Sequence, residues 1–275
     1  MPGAMGAIPL FCEHGYESAM LSYQHAYHAG NPADVHKHAL LASVLSYLCG
    51  KDKPLTYMET HSGRALYRLD GAEALKTGEA AQGVGRLLDA LPTDHPYLRA
   101  LAAVRAAEGP EAYPGSPRIA AEFLRPDDRM HLAELHPQEF EALREAMKGR
   151  GAKLHRQDGF EMALSVAPPE PRRGLLLIDP SWEVKSDYTN LPIFLSKLHR
   201  IWNVGVMLLW YPILRDAVHL PMLRAIEAQD FPGAIRHEVR FPPVREGHRM
   251  VGSGMYVINA PWGTEAALKD IDRLF

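Results

Sequence analysis

Asp179-Pro180-Ser181-Trp182 follows directly on the apolar run Leu175 to Ile178. A carboxylate, a rigid turn and an indole together are suited to holding an amine carried by an aromatic ring. Such an amine is a poor nucleophile, because its lone pair is delocalised into the ring. A protein that alkylates it must accept hydrogen bonds from its N–H groups, favour a more tetrahedral nitrogen and hold it in line with the electrophilic carbon. The Asp179 carboxylate and the Pro180 carbonyl are suitable acceptors, and Trp182 offers a stacking surface for a flipped base. Asp179 by itself is equally a helix cap. Its neighbours in sequence and in space decide between the two.

Three other acidic positions belong to the same argument. Glu59-Thr60-His61-Ser62-Gly63 ends an earlier apolar segment, Glu134 ends a second, and Asp158-Gly159 follows a third. In an open α/β sheet the ligand lies beyond the carboxyl ends of the strands, near the point where strand order reverses. Acids delivered there by successive strands suit a nucleoside. One after the second strand takes ribose hydroxyls, and an Asp backed by backbone amides takes an adenine edge. Nicotinamide or ATP would satisfy the same pattern.

These strand ends need a sheet to position them. Asn31-Pro32 reads as an N-cap followed by proline at the first helical position, and Val35, Ala39, Leu40, Val44, Leu45 and Leu48 recur at helical spacing up to Gly50. Residues 55–60 read as a strand and 61–63 as a turn. Residues 71–108, rich in Ala, Leu and Glu and broken by Pro92 and Pro96, read as two or more helices. Further strands are expected at 130–135, 153–157, 174–179, 204–210, 235–241 and 253–259, with helices at 137–149, 159–166, 187–202 and 214–229. That alternation predicts a parallel sheet covered on both faces, and the last two strands, with no helix between them, should form an antiparallel hairpin. A mostly parallel, seven-stranded α/β sheet of this kind resembles the Rossmann-like fold of class I S-adenosylmethionine-dependent methyltransferases. Pattern alone does not separate it from other doubly wound folds.

The turn at Asp179 resembles the [DNS]-P-P-[YFW] motif of amino-methyltransferases. "LSYQHAYHAGNPADVHKH" (21–38), "YMETHSG" (57–63), "YPGSP" (113–117), "ELHP" (134–137), "DGF" (158–160), "RRGLLLIDP" (172–180), "LWYP" (209–212) and "GSGMYVINAPW" (252–262) are similar, in order and spacing, to the RlmJ family. The resemblance implies N6-methylation of an adenine in 23S ribosomal RNA with S-adenosyl-L-methionine as cofactor. It also implies that His38, His61, Ser116, Glu134, Asp158 and Gly159 bind that cofactor, and that Asp179, with Pro180 and Trp182, is catalytic. Tyr23 and Lys37 fall to substrate binding or gating, Tyr23 in a segment that can cover the active site. Residues 1–20 are then an N-terminal extension, 21–275 the methyltransferase domain and about 71–112 an inserted helical subdomain. Met20 stands where family chains begin, so residues 1–19 are expected to be dispensable, and Phe275 falls short of the usual family end. The chain departs from the family in having Ser181 for a second proline, Trp182 for Tyr, Glu59 for Asp and Ala65 for Gly.

Composition narrows the alternatives. The chain has 275 residues, 47% hydrophobic and 23% charged, with a formal net charge of −3, so extended phosphate neutralisation is not advertised. The best local basic stretch is 235–250, where Arg236, Arg240, Arg245 and Arg249 outnumber Glu238 and Glu246. No apolar run approaches the roughly 20 residues of a membrane span, and the N-terminus lacks the charge pattern of a signal peptide. Cys12 and Cys49, without metal-site spacing, fit a reducing cytoplasm. His25, His28, His36 and His38 have no partner pattern of a metal site, so no metal is expected. Gly83-Val84-Gly85 follows no strand and reads as packing, not a dinucleotide loop. A monomer acting on 23S rRNA that is naked or poor in protein is the expected assembly. Two alternatives remain: a cofactor-binding relative weakened in turnover by Ser181 and Trp182, and a DNA-utilisation factor acting in catabolism of external DNA.

Overall fold

The computed structural model describes residues 25–243, 247 and 249–275. The strands are β1 (Thr56–Glu59), β2 (Leu66–Arg68), β3 (Ala112–Pro114), β4 (Arg129–Ala133), β5 (Ala152–His155), β6 (Gly174–Ile178), β7 (Val206–Leu214), β8 (Ile235–Arg240) and β9 (Met250–Ile258). The helices are α1 (Pro32–Cys49), α2 (Ala72–Thr77), α3 (Glu79–Gln82), α4 (Val84–Leu87), α5 (Pro96–Glu108), α6 (Ser116–Ala121), α7 (Pro137–Ala146), α8 (Gly159–Val166), α9 (Asp187–Ile201), α10 (His219–Glu227) and α11 (Thr264–Asp272). Among the described residues no helix is long and apolar enough to cross a membrane.

Seven strands form one sheet in the order β5-β4-β1-β6-β7-β9-β8. Pairing is parallel from β5 through β7, and β9 enters antiparallel between β7 and β8. From β1 the chain works outward to β4 and β5, then returns to β6 on the other side of β1. Strand order therefore reverses between β1 and β6, and the two turns leaving these strands carry His61 and Asp179. This is the mostly parallel α/β sheet ending in an antiparallel pair that the alternation predicted.

The apolar runs follow from having both faces covered. Leu175 and Leu177 of β6 join one core with Leu40, Leu45 and Leu132, whereas Leu176 and Ile178 join another with Phe160, Phe194 and Trp202. Successive side chains of a strand point to opposite faces, so a strand buried on both sides has to be apolar throughout.

Several elements differ from expectation. β7 continues to Leu214, because Tyr211 to Leu214 still pair with β9, and α10 accordingly begins at His219. β2 and β3 form a separate antiparallel ribbon, Leu66 opposite Pro114 and Arg68 opposite Ala112. Three residues per strand are too few to show a period of two. The C-terminal α11 was not expected either, and it packs on α1.

Helices α2 to α5 lie in chain between β2 and β3, and part of this insertion supports the residues leading into α1. Glu79 accepts from Asn31 Nδ2 at 3.2 Å and lies 3.1 Å from His28 Nδ1. Val84 N–H donates to Gly30 O at 2.8 Å. A Cβ on Gly83 would stand 2.1 Å from Gly30 O, so backbone meets backbone there and only glycine fits. Gly83-Val84-Gly85 is a packing motif.

Glu59, at the end of β1, is wholly buried and accepts hydrogen bonds from Tyr57 Oη at 2.8 Å and from Ser116 Oγ. Burial pushes its pKa up to about 8, against the lowering effect of those two donors. The folded protein thus holds a proton here that the unfolded chain releases near 4.5, and stability tied to Glu59 is lost as pH rises from that value through about 8. Glu59→Gln should remove that part of the slope, seen as a melting temperature that falls less between pH 5 and 8 than in the parent. An unchanged slope would show that Glu59 is ionised in the folded chain.

Gly159 opens α8 with its Cα against the turn after β1, where an added Cβ would stand 1.9 Å from Thr60 O. Neither backbone yields cheaply, so Gly159→Ala should destabilise by at least the ~1–3 kcal/mol of a buried overpacking. A urea melt with an unchanged midpoint would contradict this contact.

Candidate functional site

A cavity of about 390 Å3 opens at the reversal between β1 and β6, within the ~300–1,000 Å3 range of small-molecule sites. Its lining includes Lys37, His38, His61, Ser116, Glu134, Asp179, Pro180 and Trp182. Eight expected site residues, from α1 and from the ends of β1, β4 and β6 and the start of α6, therefore meet in one place. Asp158 and Gly159 do not form part of its wall. Asp158 caps α8, accepting from Glu161 N–H at 2.9 Å, and Gly159 serves the close packing on Thr60. Tyr23 lies outside the described residues.

The electrostatic centre is Lys37. Its Nζ donates to Asp179 Oδ2 at 2.6 Å and stands 3.1 Å from Asp34 Oδ1. It also lies 5.6 Å from the centre of the Trp210 ring, a cation–π distance. Burial works against the ammonium charge, but Asp179 and Asp34 outweigh it and raise the Lys37 pKa. Burial likewise opposes the Asp34 charge, and His25, Lys37 and His38 together pull that carboxyl well below the usual range. Asp34 is held in place by Gly30 N–H and His25 Nε2, both at 2.9 Å, and by the Asn31 cap, whose Oδ1 accepts from Asp34 N–H. Asp34 and His25 escaped the sequence reading. The available signal was an Asp34/Lys37 pair at i,i+3 spacing on a helix whose other residues are mostly apolar.

Glu134 accepts from Gly63 N–H and His136 N–H, both at 2.8 Å, so both oxygens are fixed by backbone donors while the carboxylate still lines the cavity. Burial raises its pKa in spite of those two bonds. The Gly63 donor belongs to a turn that also contains Ala65 at φ 62°, a conformation that favours glycine. His61 is held by Thr60 Oγ1 at 2.7 Å and lies edge-on to Phe160, and burial lowers its pKa to about 4. His38 Nδ1 lies 2.9 Å from Tyr113 Oη, and burial lowers its pKa to about 3. Both imidazoles are neutral around pH 7. At the rim, Arg64 makes a two-pronged bond to Glu139.

The Asp179 turn is strained. Trp182 has φ 61°, costly for an aromatic residue, and is held there by packing within the core and against Tyr188, with ring centres 4.7 Å apart. Ser62 Oγ, Ser181 Oγ and Trp182 Nε1, all on cavity-lining residues, are buried with no protein partner. Buried polar atoms without a protein partner call for an explanation, and they stand on residues of the cavity wall. Together with an acid fixed at the end of the second strand of the sheet in chain order, they fit the S-adenosylmethionine implied by the sequence.

The four histidines of the N-terminal block diverge. His25 turns to Asp34, His28 to Glu79, His36 to Ser253 and His237, and His38 to Tyr113. Among the described residues no group of three or more His, Cys, Asp or Glu is placed to hold a metal ion.

Comparison with known proteins agrees with this geometry. Residues 52–274 match the family described as "Ribosomal RNA large subunit methyltransferase D, RlmJ". The chain is 36% identical over 256 residues to ribosomal RNA large subunit methyltransferase J of Escherichia coli K12, covering 92% of this chain and 91% of that protein. It is 37% identical over 257 residues to the protein of the same name from Haemophilus influenzae Rd, covering 92% of each. A crystal structure of a Legionella pneumophila protein superposes with a TM-score of 0.80 at 32% identity, covering 89% of this chain and 91% of that one. With the sheet order, the cavity and these three likenesses in agreement, the chain belongs to the RlmJ family of ribosomal RNA large subunit methyltransferases.

Proposed function

We propose that the protein transfers a methyl group from S-adenosyl-L-methionine to N6 of an adenine in 23S ribosomal RNA, with the cavity between β1 and β6 as the active site. The observation that carries this reading is the convergence of the Asp179 turn and Glu134 on one cavity at the sheet's reversal point. The cofactor, when bound, supplies an activated methyl on a sulfonium. Glu134 accepts the ribose hydroxyls, Ser116 and the 61–63 turn hold the amino-acid end, and His38 and His61, both neutral, contribute without repelling the sulfonium. Asp158, on the next strand end, is assigned to the adenine edge of the cofactor, which then extends past the cavity wall seen here.

At the other end, Asp179 and the Pro180 carbonyl accept the N–H groups of the target amine, and Asp179 is placed to take the proton that the amine gives up. Trp182 offers a face to the base. The target adenine must leave its stack to reach Asp179, which favours RNA poor in bound protein. The acting unit in this reading is a monomer. Lys37 holds Asp179 through its 2.6 Å bond and gates it, and Tyr23, outside the described residues, keeps the gating role that the family resemblance implies.

Asp179→Ala should lower methyl transfer roughly 10²-fold or more, the scale of a lost acid–base group, with cofactor affinity close to the parent. Incorporation of labelled methyl into undermodified 23S rRNA, beside calorimetry with S-adenosylhomocysteine, reads both quantities. Equal loss of the two would make Asp179 a structural residue. Glu134→Ala should weaken cofactor binding by about 1–3 kcal/mol, the scale of a charged hydrogen bond. If calorimetry shows the parent and this variant binding equally, the ribose is held elsewhere.

A further inference from the structure

Trp210 is a wall of the cavity, and its indole is tied to a chain of hydrogen bonds that runs away from the site to the protein surface. Trp210 Nε1 donates to Ser253 Oγ at 2.9 Å. Ser253 Oγ lies 2.8 Å from His36 Nδ1, His36 Nε2 lies 3.0 Å from His237 Nδ1, and His237 Nε2 lies 2.9 Å from Asp272 Oδ1. Ser253 and His36 have no exposed surface, whereas the Asp272 side chain is 61% exposed. The four bonds join β7, β9, α1, β8 and α11.

For neutral imidazoles, the two ends fix the direction of every bond between them. An indole N–H only donates and a carboxylate only accepts. Ser253 Oγ therefore takes the indole proton, and its own O–H donates to His36 Nδ1. His36 must then carry its proton on Nε2 and donate to His237 Nδ1, and His237 donates from Nε2 to Asp272. In that arrangement each donor has one acceptor and none is left over. Burial and the neighbouring His237 hold the His36 pKa well below its ordinary value, in keeping with a neutral ring. A fully satisfied buried network of this kind favours one arrangement of its members over alternatives.

We propose that Ser253, His36 and His237 are positioning residues that act through Trp210. By fixing the indole they set the surface against which Lys37 lies, and hence the geometry in which Lys37 meets Asp179. None of the three lines the cavity. The kinetic part of this inference rests on the methyl-transfer reading above, and the structural part stands without it.

The chain contains four tryptophans, so a nitrogen-15-labelled sample gives four indole N–H signals, and Trp210→Phe identifies the one that matters. Ser253→Ala should shift that signal and lower turnover on undermodified 23S rRNA about tenfold, the worth of one hydrogen bond, at unchanged cofactor affinity. His237→Leu removes the acceptor for His36 Nε2 and should shift the same signal and slow turnover. His237→Asn places an acceptor oxygen near the former Nδ1 and should restore both. The proposal is overturned if the Trp210 signal stays in place in Ser253→Ala and His237→Leu. It is equally overturned if the signal moves while turnover per folded molecule does not, or if Asn at 237 rescues no better than Leu. Absence of transfer in the parent would count against the methyl-transfer reading, and the indole signals would still decide the relay.

Discussion

A buried ammonium between two carboxylates governs this structure. Lys37 is 5% exposed and Asp34 2%, and taking such charges out of water costs several kcal/mol per ion even after relaxation. Only close, well-made pairs tolerate that cost. Asp34 is on the same helix as Lys37, but Asp179 is on the turn after β6, so the pair fastens α1 across the mouth of the sheet. Removing either carboxylate leaves the ammonium undercompensated, and moving α1 carries Asp34 along with Lys37 and breaks the contact to Asp179. The electrostatic requirement therefore locates a helix that has no strand of its own to follow.

The surrounding structure serves that location. Asn31 caps α1 and orients Asp34, Pro32 fits the first turn, and Gly83 and Glu79 of the insertion seat the preceding residues. α11 packs against α1. The inserted helices consequently do more than fill a gap between β2 and β3. They hold residues 28–31, and through them Asp34 and Lys37, in register with the strand ends. The same placement lets His36, one residue before Lys37, face the opposite way into β8 and β9 while Lys37 faces the cavity.

Much of the fold was legible because burial on both faces writes itself into sequence as unbroken apolar runs, of which Leu175 to Ile178 is the plainest. The helix α8 was readable in full, since Asp158-Gly159 gives both its cap and its start. The reach of β7 was not, because Tyr211-Pro212 looks like a strand end until β9 is known to pair alongside it. The β2–β3 ribbon is too short to leave a period. In the site, residues brought in by strand ends were visible as acids after apolar runs. Asp34 and His25 left only the i,i+3 pairing of Asp34 with Lys37 as a local trace, and the Ser253–His36–His237 connection left none, because its partners are distant in sequence and nothing local announces that an imidazole is buried. Asp158 is visible in both ways: its cap role is plain in the structure, and its place beside a ligand rests on family likeness.

The central claim is that this cavity methylates one adenine of 23S rRNA, and the most direct measurement is of the RNA itself. In a strain lacking the gene, nucleotide-resolution mapping of N6-methyladenine should show a single 23S position unmodified. Restoring the intact gene should return the mark, and restoring it with the Asp179 codon changed to Ala should not. A methylation map identical with and without the gene would contradict the account.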